Sequence, residues 1–274
     1  MPAPPSVPLW QVDAFTERPF HGNPAAVCLL DTAANPEWMQ HVAAEMNLAE
    51  TAFVTRTRIK NTFDLRWFTP TTEVDLCGHA TLAAAHVLIE QGQVDECVPI
   101  RFQTRSGELK CQPKEGKIAL DFPSTPANES LDATETHACQ SVFGITAIFA
   151  ARTKFDILLV VEAPQTVREL KPNFVSMADI ETRGIIVTAC ADEEGVDFVS
   201  RFFAPRCGIN EDPVTGSAHC CLAPYWSARL GRNPLIGYQA SSRGGMVHAE
   251  IKGDRVQLSG NAVTVMEGKL WTTP

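Results

Sequence analysis

The chain has 274 residues, 45% hydrophobic and 20% charged, with a formal net charge of −9 at pH 7. That length and composition suit two ordinary globular cores, and the acidic balance speaks against a nucleic-acid or anionic-membrane partner. No apolar stretch approaches the ~20 residues that cross a bilayer. Nine cysteines form no CxxC, which disfavours a zinc ribbon or thioredoxin-type site and suits free thiols in a reducing compartment. The opening Met1–Ser6 lacks the basic and apolar regions of a secretion signal. A soluble, cytoplasmic protein is the expectation.

Taken in chain order, Leu9–Phe15 reads as a strand, and the turn signal Phe20-His21-Gly22-Asn23-Pro24 leads into an apolar strand over Ala25–Leu30. Pro36 opens a helix in which Trp38, Val42 and Met46 share one face, with Asn47 as its stop. Glu50 follows, at the mouth of the β-type run Thr51–Val54, and Phe63–Phe68 alternates like a half-buried strand. Ala80–Ile89 carries no charge and is apolar nearly all round, so it is expected to be enclosed by sheet, with Gly92 ending it. Short strands follow around Gly107–Phe122. The loop Pro123–Ala133 is the expected boundary. Ser217–Leu230 repeats the apolar helix, with Gly231 as stop and Pro224 expected to kink it. Further strands lie around Gly245–Leu258.

The second half echoes the first. Cys77-Gly78-His79-Ala80 corresponds to Thr215-Gly216-Ser217-Ala218, the two glycines being 138 residues apart. The same offset carries Arg105-Ser106-Gly107 onto Arg243-Gly244-Gly245, and Lys117–Leu120 onto Arg255–Leu258. Arg66-Trp67-Phe68 matches Arg201-Phe202-Phe203 at an offset of 135. Several ordered matches imply an internal duplication of one α/β unit, with the site expected in a cleft where the copies meet. The expected halves are residues 1–126, completed by a strand within 262–274, and residues 127–261.

Each apolar helix begins at a glycine followed by a polar residue, His79 or Ser217. A helix start carries unpaired N–H groups and a partial positive charge, which suits a carboxylate or phosphate. The simpler alternative is that Gly-x-Ala lets a helix pack closely on strands. Asp212 reads either as an N-terminal cap or as a carboxylate facing the cleft, and periodicity leaves Glu50 either solvated or catalytic. The other histidines have no companions at ligand spacing. HExxH, P-loop, Rossmann and GxSxG signatures are absent, so no metal or cofactor is expected.

Five ordered motifs then carry a resemblance: Asp13-Ala14-Phe15, Phe20–Val27, Asn47–Thr51, Leu76–Thr81 and Glu211–Ala218. They resemble the PhzF family of phenazine biosynthesis-like proteins. Arg66-Trp67-Phe68-Thr69-Pro70 and Arg243-Gly244-Gly245 point towards its animal, domain-containing branch. The resemblance implies an α/β (α+β) diaminopimelate epimerase-like fold, two pseudo-symmetric halves each with a curved sheet or barrel around a central helix. It implies a homodimer. It places the family's proton-carrying glutamate on Glu50 (the preceding serine of that motif is Ala49 here), its site histidine on His79, its aspartate on Asp212 and its helix-start serine on Ser217. Gly78, Gly216, Ser217 and Asn23 are expected to bind substrate. The wider superfamily's two facing thiols are not both present: Cys77 has no partner thiol in the second copy and reads as packing. The expected activity is a cofactor-independent isomerase shifting a proton on a small carboxylate-bearing substrate. A binding or regulatory protein on the same fold, or a one-carboxylate epimerase, are the alternatives.

Overall fold

A computed structural model describes residues 6–272; residues 1–5, most of the segment read for a secretion signal, lie outside them. In chain order the elements are β1 (Val7–Ala14), β2 (Asn23–Leu30), α1 (Pro36–Met46), β3 (Glu50–Arg56), β4 (Thr62–Phe68), β5 (Glu73–Val74), α2 (Gly78–Glu90), β6 (Ile100–Thr104), β7 (Gly107–Lys114) and β8 (Lys117–Pro123). There follow β9 (Glu129–Ser130), α3 (Ala133–Phe143), β10 (Phe149–Arg152), β11 (Ile157–Val160), α4 (Pro164–Arg168), α5 (Phe174–Met177), β12 (Ile185–Cys190), β13 (Phe198–Ala204) and β14 (Ile209–Asp212). The last are α6 (Gly216–Leu230), β15 (Leu235–Gln239), β16 (Gly245–Lys252), β17 (Arg255–Gly260) and β18 (Ala262–Leu270).

The chain divides into two compact units, Met1–Asp121 with Ser259–Pro274, and Phe122–Leu258. The division falls inside β8 rather than in the Pro123–Ala133 loop, because Lys117–Pro123 continues as one strand.

In the first unit β18 pairs antiparallel with β1, β1 with β2, β3 with β4, and β4 with β5, while β2–β3 and β4–β6 are parallel. The second unit repeats that order: β10–β11, β12–β13 and β13–β14 are antiparallel, and β11–β12 and β13–β15 parallel.

Parallel pairs are buried on both faces, which is why their strands read as unbroken apolar runs. In β11 and β12, Ile157, Leu159, Ile185 and Val187 pack with α3 residues Cys139 and Phe143. The alternate residues Leu158, Val160 and Ile186 pack with α6 residues Ala218, Leu222 and Trp226. On the first unit's sheet, Leu9, Cys28 and Phe53 meet Met39 and Val42 of α1. Nine of the 13 residues of α2 are buried, as the uncharged run Ala80–Ile89 predicts. In α6 eight of 15 are buried, and its last turn emerges, where Arg229 donates to the Tyr225 hydroxyl at 3.1 Å. Pro224 lies in the helix interior, and Gly231 closes the helix in the left-handed region.

One polar device occurs in both units. Arg66 donates through Nε and Nη2 to both oxygens of Glu73 at 2.7 and 2.9 Å and lies over Phe68. Arg201 does the same to Glu211 at 2.6 and 2.8 Å, over Phe203.

No helix among the described residues is long and apolar enough to cross a membrane. None of the nine cysteines forms a disulfide.

Candidate active site

The first unit assembles its polar cluster from three element starts. The loop between β1 and β2 is tight: Phe20 N–H donates to buried Asp13 Oδ2 at 2.6 Å, and Gly22 adopts φ +64°. A Cβ on Gly22 would fall 2.1 Å from the Ala14 carbonyl oxygen, so only glycine fits. That loop delivers Asn23, fully buried, at the start of β2. Parallel pairing of β2 with β3 sets Ala25 opposite Glu50, which begins β3. His79 is the second residue of α2, directly after Gly78.

These residues meet. Glu50 Oε2 lies 3.1 Å from His79 Nε2, with the two side chains 13% and 7% exposed. Neither of those atoms has a hydrogen-bond partner, and the contact is a buried ion pair. On the far edge of the ring, His79 Nδ1 is 3.1 Å from the Asn23 amide nitrogen and 3.6 Å from Cys77 Sγ. An amide can face either protonation state of the ring, offering N–H to one and C=O to the other.

Burial alone would lower the His79 pKa. The adjacent Cys77 sulfur and the Glu50 carboxylate outweigh it, holding His79 well above its ordinary value. Burial pushes the Cys77 thiol up to about 11. A folded pKa above the ~6.5 of the unfolded chain contributes stability that is fully present below ~6.5 and lost as pH rises through the folded value. The stability excess of wild type over His79→Gln is therefore expected to be greatest near pH ~6 and to shrink at alkaline pH. Urea unfolding across that range checks it; an excess that is flat or grows with pH contradicts the charged ring.

The donor atoms of Glu50, Cys77 and His79 lie within 4.8 Å of one another, a spacing a metal ion could use. Sulfur meets Nδ1, however, and the carboxylate meets Nε2. Opposite edges of one ring suit a proton relay better than a single ion.

The second unit places Asp212 at the end of β14 and Ser217 as the second residue of α6. The Thr215 hydroxyl donates to Asp212 Oδ2. Gln239, fully buried, ties the loop down: its Oε1 accepts from Thr215 N–H at 2.8 Å and its Nε2 donates to the Asp212 carbonyl at 2.7 Å. Arg183 Nη2 donates to Ser217 Oγ at 3.0 Å.

Equivalent helix starts are built alike. Thr81 Oγ1 donates to the Cys77 carbonyl at 2.5 Å, and His219 Nδ1 to the Thr215 carbonyl at 2.8 Å. Burial lowers the His219 pKa to about 4, so its ring is neutral. Cys77 and Thr215, the N-caps of α2 and α6, make no side-chain cap bond, whereas Asn35 and Asp132 cap α1 and α3.

The structure brings Asn23, Glu50, Gly78 and His79 to one place in the first unit, and Asp212, Gly216 and Ser217 to one end of α6 in the second. Cys77, read as packing, also touches His79. Sequence reasoning missed Gln239, Arg183 and Asp156. The last two had a readable signal, since each stands at the mouth of an apolar run as Glu50 does.

The profile of the phenazine biosynthesis-like protein family matches residues 12–268. The chain is 49% identical to a protein of Halalkalibacterium halodurans named an uncharacterized isomerase, covering 97% of this chain and 98% of that one. It is 39% identical to a phenazine biosynthesis-like domain-containing protein of Bos taurus, over 96% and 99%. A crystal structure of a PhzF-family phenazine biosynthesis protein from Enterococcus faecalis shares 41% identity and a TM-score of 0.91, over 97% and 99%. The leaning towards the animal branch is corrected by the higher identity to the bacterial protein. With the fold diaminopimelate epimerase-like and proteins named isomerases among its relatives, the chain belongs to the phenazine biosynthesis-like (PhzC-PhzF) family.

Proposed function

We propose that the protein is a cofactor-independent isomerase that shifts a proton on a small carboxylate-bearing substrate. The observation that carries this reading is the buried Glu50–His79 pair, whose facing oxygen and nitrogen have no hydrogen-bond partner. Buried polar atoms are normally satisfied, and an unsatisfied carboxylate beside an imidazolium is a base awaiting a proton. Glu50 takes a proton from a carbon next to a double bond or carboxylate, and the electron pair delocalises into that system. Protonated Glu50 then returns the proton to a different carbon, leaving the enzyme unchanged. His79 carries the compensating positive charge, and Asn23 holds its far edge. Asp212 and Ser217, with the first amides of α2 and α6, are read as the substrate's hydrogen-bonding groups. We also read the repeated pairing order and the twin Arg–Glu devices as the product of an internal duplication, and the protein as a homodimer, which light scattering near twice the 29.9 kDa chain mass would support and a monomer would refute.

The reaction is tested by incubating wild type in D2O with a panel of small cyclic carboxylates and amino acids, followed by proton NMR. Exchange of a carbon-bound proton with a displaced double bond is expected. Exchange with inversion of a stereocentre makes the protein an epimerase. Shifted ligand signals without exchange make it a binding protein.

A further inference from the structure

Ser217 is held by a side chain that the proposed mechanism leaves unused. Arg183 lies just before β12 and Asp156 just before β11, and the parallel register that sets Ile157 opposite Ile185 brings the two together. The Asp156 carboxylate, 3% exposed, accepts from Arg183 Nε at 2.8 Å and from Nη2 at 2.5 Å. Asp156 is itself fixed, its backbone N–H donating to Thr153 Oγ1 at 2.9 Å. The guanidinium is flanked by Phe155 and Phe202, at 5.1 and 5.8 Å from their ring centroids. The Phe202 ring lies so close to Gly184 that a Cβ there would sit 2.3 Å from it. Carboxylate, aromatic rings and neighbouring backbone therefore fix the plane of the guanidinium.

A guanidinium has donors only. A serine oxygen that accepts from it must direct its own hydroxyl proton elsewhere. The bond from Nη2 to Ser217 Oγ therefore occupies one of the two lone pairs of that oxygen and leaves its proton to be donated to another group. The fork geometry places Nη1 beside Nη2, and Nη1 has no hydrogen-bond partner among the described residues. With both hydrogens of Nη2 used by Asp156 and Ser217, the Ser217 hydroxyl proton and Nη1 are the two donors left for the two oxygens of a carboxylate. The corresponding amide would set its NH2 against one of those donors, and such mismatches are what polar sites reject most strongly.

We infer that Arg183 is the specificity-determining residue for this end of the site: it turns the Ser217 proton outward as one donor, supplies Nη1 as a second, and selects a carboxylate over its neutral amide. The inference rests on the reading of Ser217 as a substrate-binding group, and goes beyond it by assigning a residue and a selectivity.

The test is equilibrium binding, by NMR titration, of two acid–amide pairs: anthranilate with anthranilamide, and cyclohex-1-enecarboxylate with its amide. Wild type is expected to prefer each acid by about tenfold or more, and Arg183→Met to erase most of that preference. Arg183→Lys, which keeps the charge but not the fork, should restore only part of it. Ser217→Ala combined with Arg183→Met should lose no more than the larger single loss, because the two act as one unit. Should Arg183→Met fail to fold with Asp156 left unpaired, Asp156→Asn/Arg183→Met removes the buried charge and answers the same question. A folded variant with an unchanged acid-to-amide ratio would show that Arg183 is structural and overturn the inference. So would a wild type that binds neither acid or does not distinguish acid from amide. The ratio is read by binding without turnover, so failure of the proton-carrier reading, seen in the D2O exchange, and failure of this one are separable. Unchanged acid binding by Ser217→Ala would sink the Ser217 reading itself.

Discussion

Replacing Glu50 with glutamine is expected to lower proton exchange by about 10³-fold while leaving the protein folded. Glutamine keeps the shape and removes the titratable oxygen. The fold has little to lose, since Glu50 Oε2 makes no hydrogen bond in the wild type. The backbone of Glu50 stays paired at the start of β3 whatever its side chain. A second consequence separates this account from general damage to the site. With the carboxylate gone, burial is no longer offset by its charge, so the His79 ring should be neutral at physiological pH. The pH-dependent stability that His79 contributes should then disappear in Glu50→Gln as it does in His79→Gln. A variant that exchanges protons at near wild-type rate would remove Glu50 from the mechanism. One that keeps the pH-dependent stability would remove the ion pair.

The second large effect concerns the twin Arg–Glu devices, which look alike and should not be worth the same. Arg201→Met is expected to cost about 3 kcal/mol, because it leaves a largely buried carboxylate without its partner. The Arg201 side chain is 11% exposed and Glu211 19%, and Arg201 Nη1 also donates to the Leu170 carbonyl at 2.9 Å. Arg66→Met should cost nearer ~1 kcal/mol. Arg66 is 30% exposed, and Glu73 retains Arg105 at 2.9 Å when Arg66 is removed. Urea unfolding of both variants measures the difference. A loss from Arg66→Met as large as that from Arg201→Met would contradict the role given to burial.

What the sequence made legible is what is local. Asn47 and Gly231 were readable as helix stops because a left-handed residue ends a helix wherever it stands, and both adopt that conformation. The uncharged run Ala80–Ile89 of α2 announced its burial because each face of it needs apolar company. The 138-residue offset located two helix starts that turn out to share a bond from residue i+4 to the N-cap carbonyl. Asn23 and Glu50 were found through a family resemblance; periodicity alone left Glu50 undecided. The resemblance could not show that Glu50 meets His79 rather than solvent. Register decided that, by setting the starts of β2 and β3 side by side. Arg183 and Asp156 stand at the mouths of apolar runs, a signal as undecided by periodicity as that of Glu50, and Gln239 carries none; their partners, 27 and 24 residues away, are brought to them only by the fold. The boundary was misplaced because proline and serine in Pro123–Ala133 signal a loop, while the strand before it runs on to Pro123.

One NMR experiment decides whether Glu50 carries the proton: chelator-treated wild type and Glu50→Gln are incubated side by side in D2O with the same panel of small carboxylates. A carbon-bound proton of at least one compound is expected to exchange with wild type alone, while Glu50→Gln still shifts that compound's signals. Equal exchange by both proteins would contradict it, as would exchange that chelation abolishes in the wild type.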